Sequence, residues 1–160
     1  MIDHWSGEFG DAYHARNIGV LASPKRSGFW SAFLDKYPVE SALEIGCGSG
    51  ANLTWLKIPR VVGVDVNAKA VAIARLIPGV LALRAPASRI PLPDAAFDLV
   101  FTCGLLIHIP EHELGSALDE MYRLTSRLLL VMEYHADETR EIEYQGERGL
   151  LWKRPYEAIV

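Results

Sequence analysis

The sequence predicts one α/β domain in which helices cover both faces of a parallel sheet, and three observations carry that prediction. From residue 41 onward, short apolar runs bounded by turn residues alternate with longer amphipathic stretches, the rhythm of strands connected through helices. Three glycines, Gly46, Gly48 and Gly50, stand where the first apolar run ends. The chain has 160 residues, 50% of them hydrophobic, which is enough for one continuous core and too few for two.

Five strands are expected in order, at residues 41–47, 61–66, 80–84, 97–103 and 128–133. Helices are expected at 51–56, 68–76 and 111–125; in the last, Leu114, Leu118, Met121 and Leu124 recur at helical spacing. Pro78-Gly79 closes the second helix, and residues 91–94 form a loop ahead of the fourth strand. The first 40 residues read as a helical lead-in interrupted at Gly7, Gly10, Gly19 and Pro24, and beyond Glu133 the pattern turns aromatic, charged and irregular.

A net charge of -4 and a pI near 5.7 argue against nucleic acid held on a broad basic face, which needs clustered Lys and Arg; a small neutral or anionic substrate fits better. Cys47 and Cys103, with no Cys-His cluster, make neither a disulfide framework nor a metal site and fit a reducing compartment. The stretch from Met1 to Trp5 lacks the basic and apolar regions of a signal peptide, and no apolar run approaches the ~18 residues of a membrane span. A cytoplasmic protein without a membrane partner is expected.

The chemistry concentrates at Glu44 and the loop Gly46-Cys47-Gly48-Ser49-Gly50. Glycine there lets a ligand approach the backbone and permits the positive φ of a tight turn. Asp65, 21 residues beyond Glu44, closes the second strand, where its carboxylate reaches a ribose bound at the same sheet edge. This is the arrangement of a nucleoside-containing cofactor at a topological switch point. Gly46, Gly48 and Ala51 also satisfy the dinucleotide fingerprint, so a nicotinamide cofactor competes. Glu44 separates the two: a carboxylate beside the loop repels a pyrophosphate but helps S-adenosylmethionine, which has no phosphate and carries a cationic amino group and a sulfonium.

On the segment from Glu44 to Gly50, on Asp65, and on residues 97–109, the sequence resembles the class I methyltransferases over about residues 41–135. The resemblance implies a Rossmann-like doubly wound sheet and S-adenosyl-L-methionine as cofactor, with S-adenosyl-L-homocysteine as product. It places Glu44, Gly46, Cys47, Gly48 and Gly50 around the methionine part, Asp65 and the adjoining Val66 at the ribose, and Thr102, Cys103 and Gly104 under the sulfur. The turn after strand three often supplies an acid to the adenine amino group in such enzymes; here it reads Ala85-Pro86-Ala87-Ser88, leaving Ser88 or a backbone carbonyl. The segment from Trp5 to Asn17, together with residues 106–109, Glu133-Tyr134, residues 142–144 and Leu151-Trp152-Lys153-Arg154, further resembles the methylases associated with pseudaminic acid biosynthesis. One domain, 1–160, is thus expected, with an N-terminal lid (1–40), a cofactor-binding core (41–135) and a substrate-side C-terminal segment (136–160). The chain stops at Val160, short of the final strand pair that usually completes a seven-stranded sheet. Two readings stay open, a shortened form with an exposed sheet edge or a compact variant whose edge is covered by residues 136–160 or a partner; an open edge is an association hazard, so either a homodimer or limited stability is expected.

Methyl transfer needs alignment, exclusion of water and, where required, a base. His108, just past strand four, is the first candidate base and substrate contact, with a loop-capping role as the alternative. Tyr13, Arg16 and Asn17 share a face if residues 10–17 are helical; Tyr13 is a candidate for catalysis and cofactor contact, and Arg16 for the methionine carboxylate, unless this is a solvated surface. Glu133, Tyr134 and His135 end strand five on the ligand edge, as catalytic or substrate residues or as a loop staple. Lys153 and Arg154, with Arg140 and Arg148, either grip an anionic acceptor or are solvated among Glu138, Glu141, Glu143 and Glu147. The expected activity is methyl transfer to a small anionic metabolite such as a nonulosonic acid. The alternatives are a nicotinamide-dependent oxidoreductase and a cofactor-binding subunit without chemistry.

Overall fold

The computed structural model describes residues 2–17 and 24–160. Its centre is a sheet of β1 (Ser41–Ile45), β2 (Arg60–Asp65), β3 (Val80–Arg84), β4 (Phe97–Cys103) and β5 (Thr125–Met132), all parallel and ordered β3-β2-β1-β4-β5. Strand order therefore reverses between β1 and β4, which opens a crevice at their carboxyl ends. Alternate side chains of β1 serve opposite faces. Leu43 and Ile45 enter one cluster with Leu114, Leu118 and Met121, whereas Ala42 enters another with Trp30 and Phe101. A strand buried on both sides reads as a continuous apolar run, and among the buried residues of β1 Glu44 is the exception.

Helices α1 (Ile2–Ser6), α2 (Glu8–Asn17) and α3 (Pro24–Lys36) precede the sheet. Gly7 separates α1 from α2 and Pro24 opens α3, as expected; Gly19 lies outside the described residues. Gly10 is no break but sits inside α2, because an added Cβ would lie 1.8 Å from the Trp5 carbonyl oxygen. Helix α4 (Ala68–Ala74) is capped by Asn67, whose side chain accepts from the Ala70 amide. Asn67 is fully buried and its amide donates to Trp5 O and Asp11 Oδ1, so one cap ties the N-terminal helices to the core. Helix α5 (Glu111–Leu124) carries acids in its first turn, Arg123 in its last, and a buried stripe matching the predicted periodicity. Arg123 donates to the carbonyls of Ile90 and Leu92 and docks the loop before β4 along α5.

Two regions differ from expectation. No α-helix follows the glycine loop; turns lead into a single 3₁₀ turn at Leu53–Trp55. The connection must travel back along the sheet, about 17 Å for five residues of strand, and turns with extended chain cover that distance in fewer residues than an α-helix rising about 1.5 Å per residue. The segment past Glu133 is not irregular throughout: β6 (Arg140–Tyr144) and β7 (Glu147–Lys153) form an antiparallel hairpin. Its two-residue turn, Gln145 at φ 54° and Gly146 at φ 82°, matches the left-handed geometry that right-twisted hairpins favour. This hairpin is a separate two-stranded sheet, so among the described residues β5 remains an edge of the five-stranded one.

Arg154 locks the hairpin to the core. It is fully buried, and its guanidinium donates to Leu106 O at 2.9 Å, Ile109 O at 2.8 Å and Glu111 Oε2 at 3.3 Å. Removing it orphans the buried Ile109 carbonyl and leaves Leu106 O with the Ile109 amide alone. Arg154→Ala is expected to cost roughly 3 kcal/mol of unfolding free energy, read from the urea midpoint, with Arg154→Lys recovering only part because an ammonium lacks the fork.

Candidate functional site

A cavity of about 210 Å³ lies at the carboxyl ends of the strands. Its floor is the segment from Glu44 to Ser49 with Asp65 and Val66; Cys103, Gly104 and Leu105 form one side and Pro86, Ala87 and Ser88 another. Trp5, Tyr13 and His14 of the N-terminal helices and His108 close it above.

Glu44 is 2% exposed. One carboxylate oxygen accepts from Asn52 Nδ2 at 2.6 Å, and the other is buried without a partner. Burial raises its pKa to about 8, against the opposing pull of the Asn52 bond and of Arg26. Asn52 Oδ1 in turn accepts from Arg26 Nη1 at 2.5 Å, so an arginine of α3 reaches the cavity through the residue that touches Glu44.

Asp65 shapes the loop. Its Oδ2 accepts the Gly48 amide and its Oδ1 the Asn67 amide, each at 2.8 Å, leaving lone pairs on both oxygens for a ligand's hydroxyl groups. Gly46 and Gly48 both have positive φ, and a Cβ on Gly46 would lie 2.8 Å from Leu105 Cδ1. A Cβ on Gly48 would stand 3.1 Å from the His14 ring, so α2 closes directly over the loop. Desolvation lowers the His14 pKa, opposed by Asp65 and Asp11.

His108 is 9% exposed and ends a 3₁₀ turn, Leu106–His108. Its Nδ1 lies 2.6 Å from Leu150 O, and a carbonyl can only accept, so the proton sits on Nδ1 and the neutral ring keeps its lone pair on Nε2. Burial lowers its pKa. Trp5 packs on the ring at 4.4 Å between centroids and Tyr144 at 5.3 Å. Tyr13 is pushed the other way, its phenol pKa raised by burial.

Most of the predicted residues meet in this cavity: Tyr13, Glu44, Gly46, Cys47, Gly48, Asp65, Val66, Ser88, Cys103, Gly104 and His108. Others do not. Gly50 is spent on packing, since a Cβ would come within 2.4 Å of Ile77 Cδ1. Thr102 is fully buried in β4. Arg16 reaches Gln145 Oε1 at 2.9 Å, joining α2 to the hairpin turn, and Arg26 is the arginine that lines the cavity. Glu133 accepts the amides of Leu105, Leu106 and Ile107 and staples the loop after β4. Tyr134 is 59% exposed with Lys153 over its ring, His135 pairs with Asp137 and Glu157, and Arg154 has spent its donors on the core. Sequence reasoning missed His14, Arg26, Asn52 and Glu113 as lining residues. Asn52, a polar residue within an expected helix beside an invading carboxylate, carried the one usable signal.

No three His, Cys, Asp or Glu side chains among the described residues are placed to hold a metal, and no described helix is long and apolar enough to cross a membrane.

Because the folded protein keeps the Glu44 proton up to about pH 8 and an unfolded chain releases it near 4.5, stability from this group is full below the lower value and lost as pH rises through the upper. Wild-type stability is therefore expected to fall between pH 5 and 9 relative to Glu44→Gln, whose profile flattens, in denaturant titrations across that range.

Comparison with known proteins gives a consistent picture. A family model described as a methyltransferase domain matches residues 43–127. An S-adenosylmethionine-dependent methyltransferase of Thermotoga maritima is similar at 26% identity over 82% of this chain and 60% of its own, with a TM-score of 0.62. The YcgJ protein of Bacillus subtilis is similar at 19% identity over 67% of this chain, which spans 50% of it, with a TM-score of 0.58. The 1,6-didemethyltoxoflavin-N1-methyltransferase of Burkholderia thailandensis, with bound 1,6-didemethyltoxoflavin and S-adenosylhomocysteine, shares the fold at 20% identity, over 94% of this chain and 70% of its own, with a TM-score of 0.68. A search of curated proteins finds no match.

Proposed function

The chain belongs to the methyltransferase-domain family, and from that premise we propose that it binds S-adenosyl-L-methionine and transfers its methyl group to a small molecule. The observation that carries this reading is the unpartnered oxygen of Glu44. A buried carboxyl with one free oxygen is neutral when alone and ionises when a cation arrives; the cofactor's ammonium and sulfonium supply that charge. Arg26, held by Asn52, suits the methionine carboxylate, the role first expected of Arg16. The open lone pairs of Asp65 suit the ribose hydroxyls, and Ser88, the residue expected at the adenine, lines the same cavity, as does Glu113.

A nicotinamide dinucleotide fits less well. Its pyrophosphate wants the amino terminus of an α-helix after the loop, where this chain has a 3₁₀ turn, and it would meet Glu44.

When bound, the cofactor supplies an electrophilic methyl group. The chain's own residues do the rest: the α1–α2 lid excludes water, and His108 offers Nε2 as a proton acceptor, neutral because burial lowers its pKa and oriented because Leu150 holds Nδ1. Tyr13 remains a protonated hydrogen-bond donor over the cavity. For the sugar-acid acceptor that the likeness to pseudaminic-acid methylases implies, Lys153 faces Tyr134 and Arg154 the core, so neither of these two is placed to grip it.

Asp65→Ala is expected to weaken S-adenosylhomocysteine binding by about 1 to 3 kcal/mol in calorimetry, the range for charge-assisted hydrogen bonds. Binding to the wild type at pH 7 should release a proton, visible as a buffer-dependent enthalpy that disappears in Glu44→Gln. Tighter binding of NADH than of S-adenosylhomocysteine would refute the cofactor assignment.

A further inference from the structure

We infer that the acceptor is a compact, uncharged aromatic ring bearing an acidic O–H or N–H, and that Trp5 is its principal recognition residue. This rests on the methyl-donor reading and deepens it. Two kinds of observation converge on the class of acceptor.

The first is charge. Among the described residues, Arg26 is the only Lys or Arg lining the cavity, and it is bonded to Asn52 beside Glu44, at the cofactor end. His14 and His108 are both held toward the neutral form by burial. No further Lys or Arg among the described lining residues is left to hold a carboxylate or phosphate on the acceptor.

The second is shape. Trp5, Tyr13 and His108 wall the same cavity and Trp5 touches both of the others, with Trp5–Tyr13 centroids at 5.4 Å in edge-to-face contact and Trp5–His108 at 4.4 Å. Phe9 packs behind Trp5 at 5.2 Å and Tyr144 behind His108 at 5.3 Å, so the walls are braced rather than free to turn. Aromatic walls reward an aromatic guest by about 0.5 to 1.5 kcal/mol per ring pair beyond simple burial.

The transfer balances with these groups alone. The acceptor oxygen or nitrogen forms a bond to the methyl carbon as the carbon–sulfur bond breaks, the bonding pair returns to sulfur, and the acceptor's proton passes to His108 Nε2. The resulting imidazolium keeps its Nδ1–H on Leu150 O until it loses the proton to water.

The test titrates protein saturated with S-adenosylhomocysteine with three probes: 2-naphthol, 2-naphthoate and glucuronate. Naphthol is expected to bind at least tenfold more tightly than either anion. Trp5→Leu should lose about tenfold in naphthol affinity, and Trp5→Phe, which keeps a ring, should recover most of it. S-adenosylhomocysteine affinity, measured for each protein, checks that it is folded and loaded. Equal or tighter binding of glucuronate or naphthoate overturns the inference, as does absence of naphthol binding to loaded wild type, or a Trp5→Leu variant with undiminished naphthol affinity. Failure of the wild type to bind S-adenosylhomocysteine removes the methyl-donor reading itself, and the acceptor inference with it.

Discussion

A carboxyl group that is 2% exposed, on a strand with a neighbour on each side, must be neutral or faced by a cation, and Glu44 imposes that choice on everything around it. Asn52 is drawn beneath the loop to give it one hydrogen bond, and Arg26 is drawn in from α3 to hold Asn52. Trp30 shares the same Asn52 oxygen at 3.4 Å, which joins this polar chain to the apolar cluster under the sheet. The segment after the glycines follows turns and a short 3₁₀ piece while Asn52 occupies this position. The proposed methyl donor would complete the arrangement by replacing a proton with its own positive charge.

The backbone path above Glu44 is governed by close approach. Gly46 passes under Leu105 and Gly48 under His14, and Asp65 pins the Gly48 amide from the neighbouring strand. Helices α1 and α2 are held through a different contact, the buried Asn67, which caps α4 with its oxygen and ties Trp5 and Asp11 with its nitrogen. Cap, N-terminal helices and loop thus share one short stretch of chain at the end of β2. A substitution there would disturb local helix stability and cavity closure together.

The sequence made local features legible and left long-range ones hidden. Strand β4 and the stripe of α5 emerged with their bounds nearly intact, because alternation and helical spacing are written in consecutive residues. Glu44, the loop and Asp65 emerged because their spacing is fixed by adjacent parallel strands. Arg154 did not. Its setting among four glutamates in the preceding residues looked solvated, while in space it is enclosed by carbonyls some 45 residues earlier in the chain. Arg16 and Arg26 illustrate the same limit: both are arginines in N-terminal helices, and only the fold decides that the first meets Gln145 and the second Asn52. Glu133 had a loop staple among its expected roles, and three amides accept that description.

The Leu150 carbonyl that fixes the His108 tautomer comes from β7, well downstream of the ring it orients. During synthesis the glycine loop, Asp65 and the end of β4 are all translated by Gly104, whereas the group that orders the imidazole follows only with the closing hairpin. An emerging chain therefore has the floor of the cavity before the His108 ring is oriented. The hairpin acts as a late fastener: a proteolytic cut at Gln145-Gly146 would loosen the Leu150 contact and free the ring while the glycine loop and Asp65 stay joined.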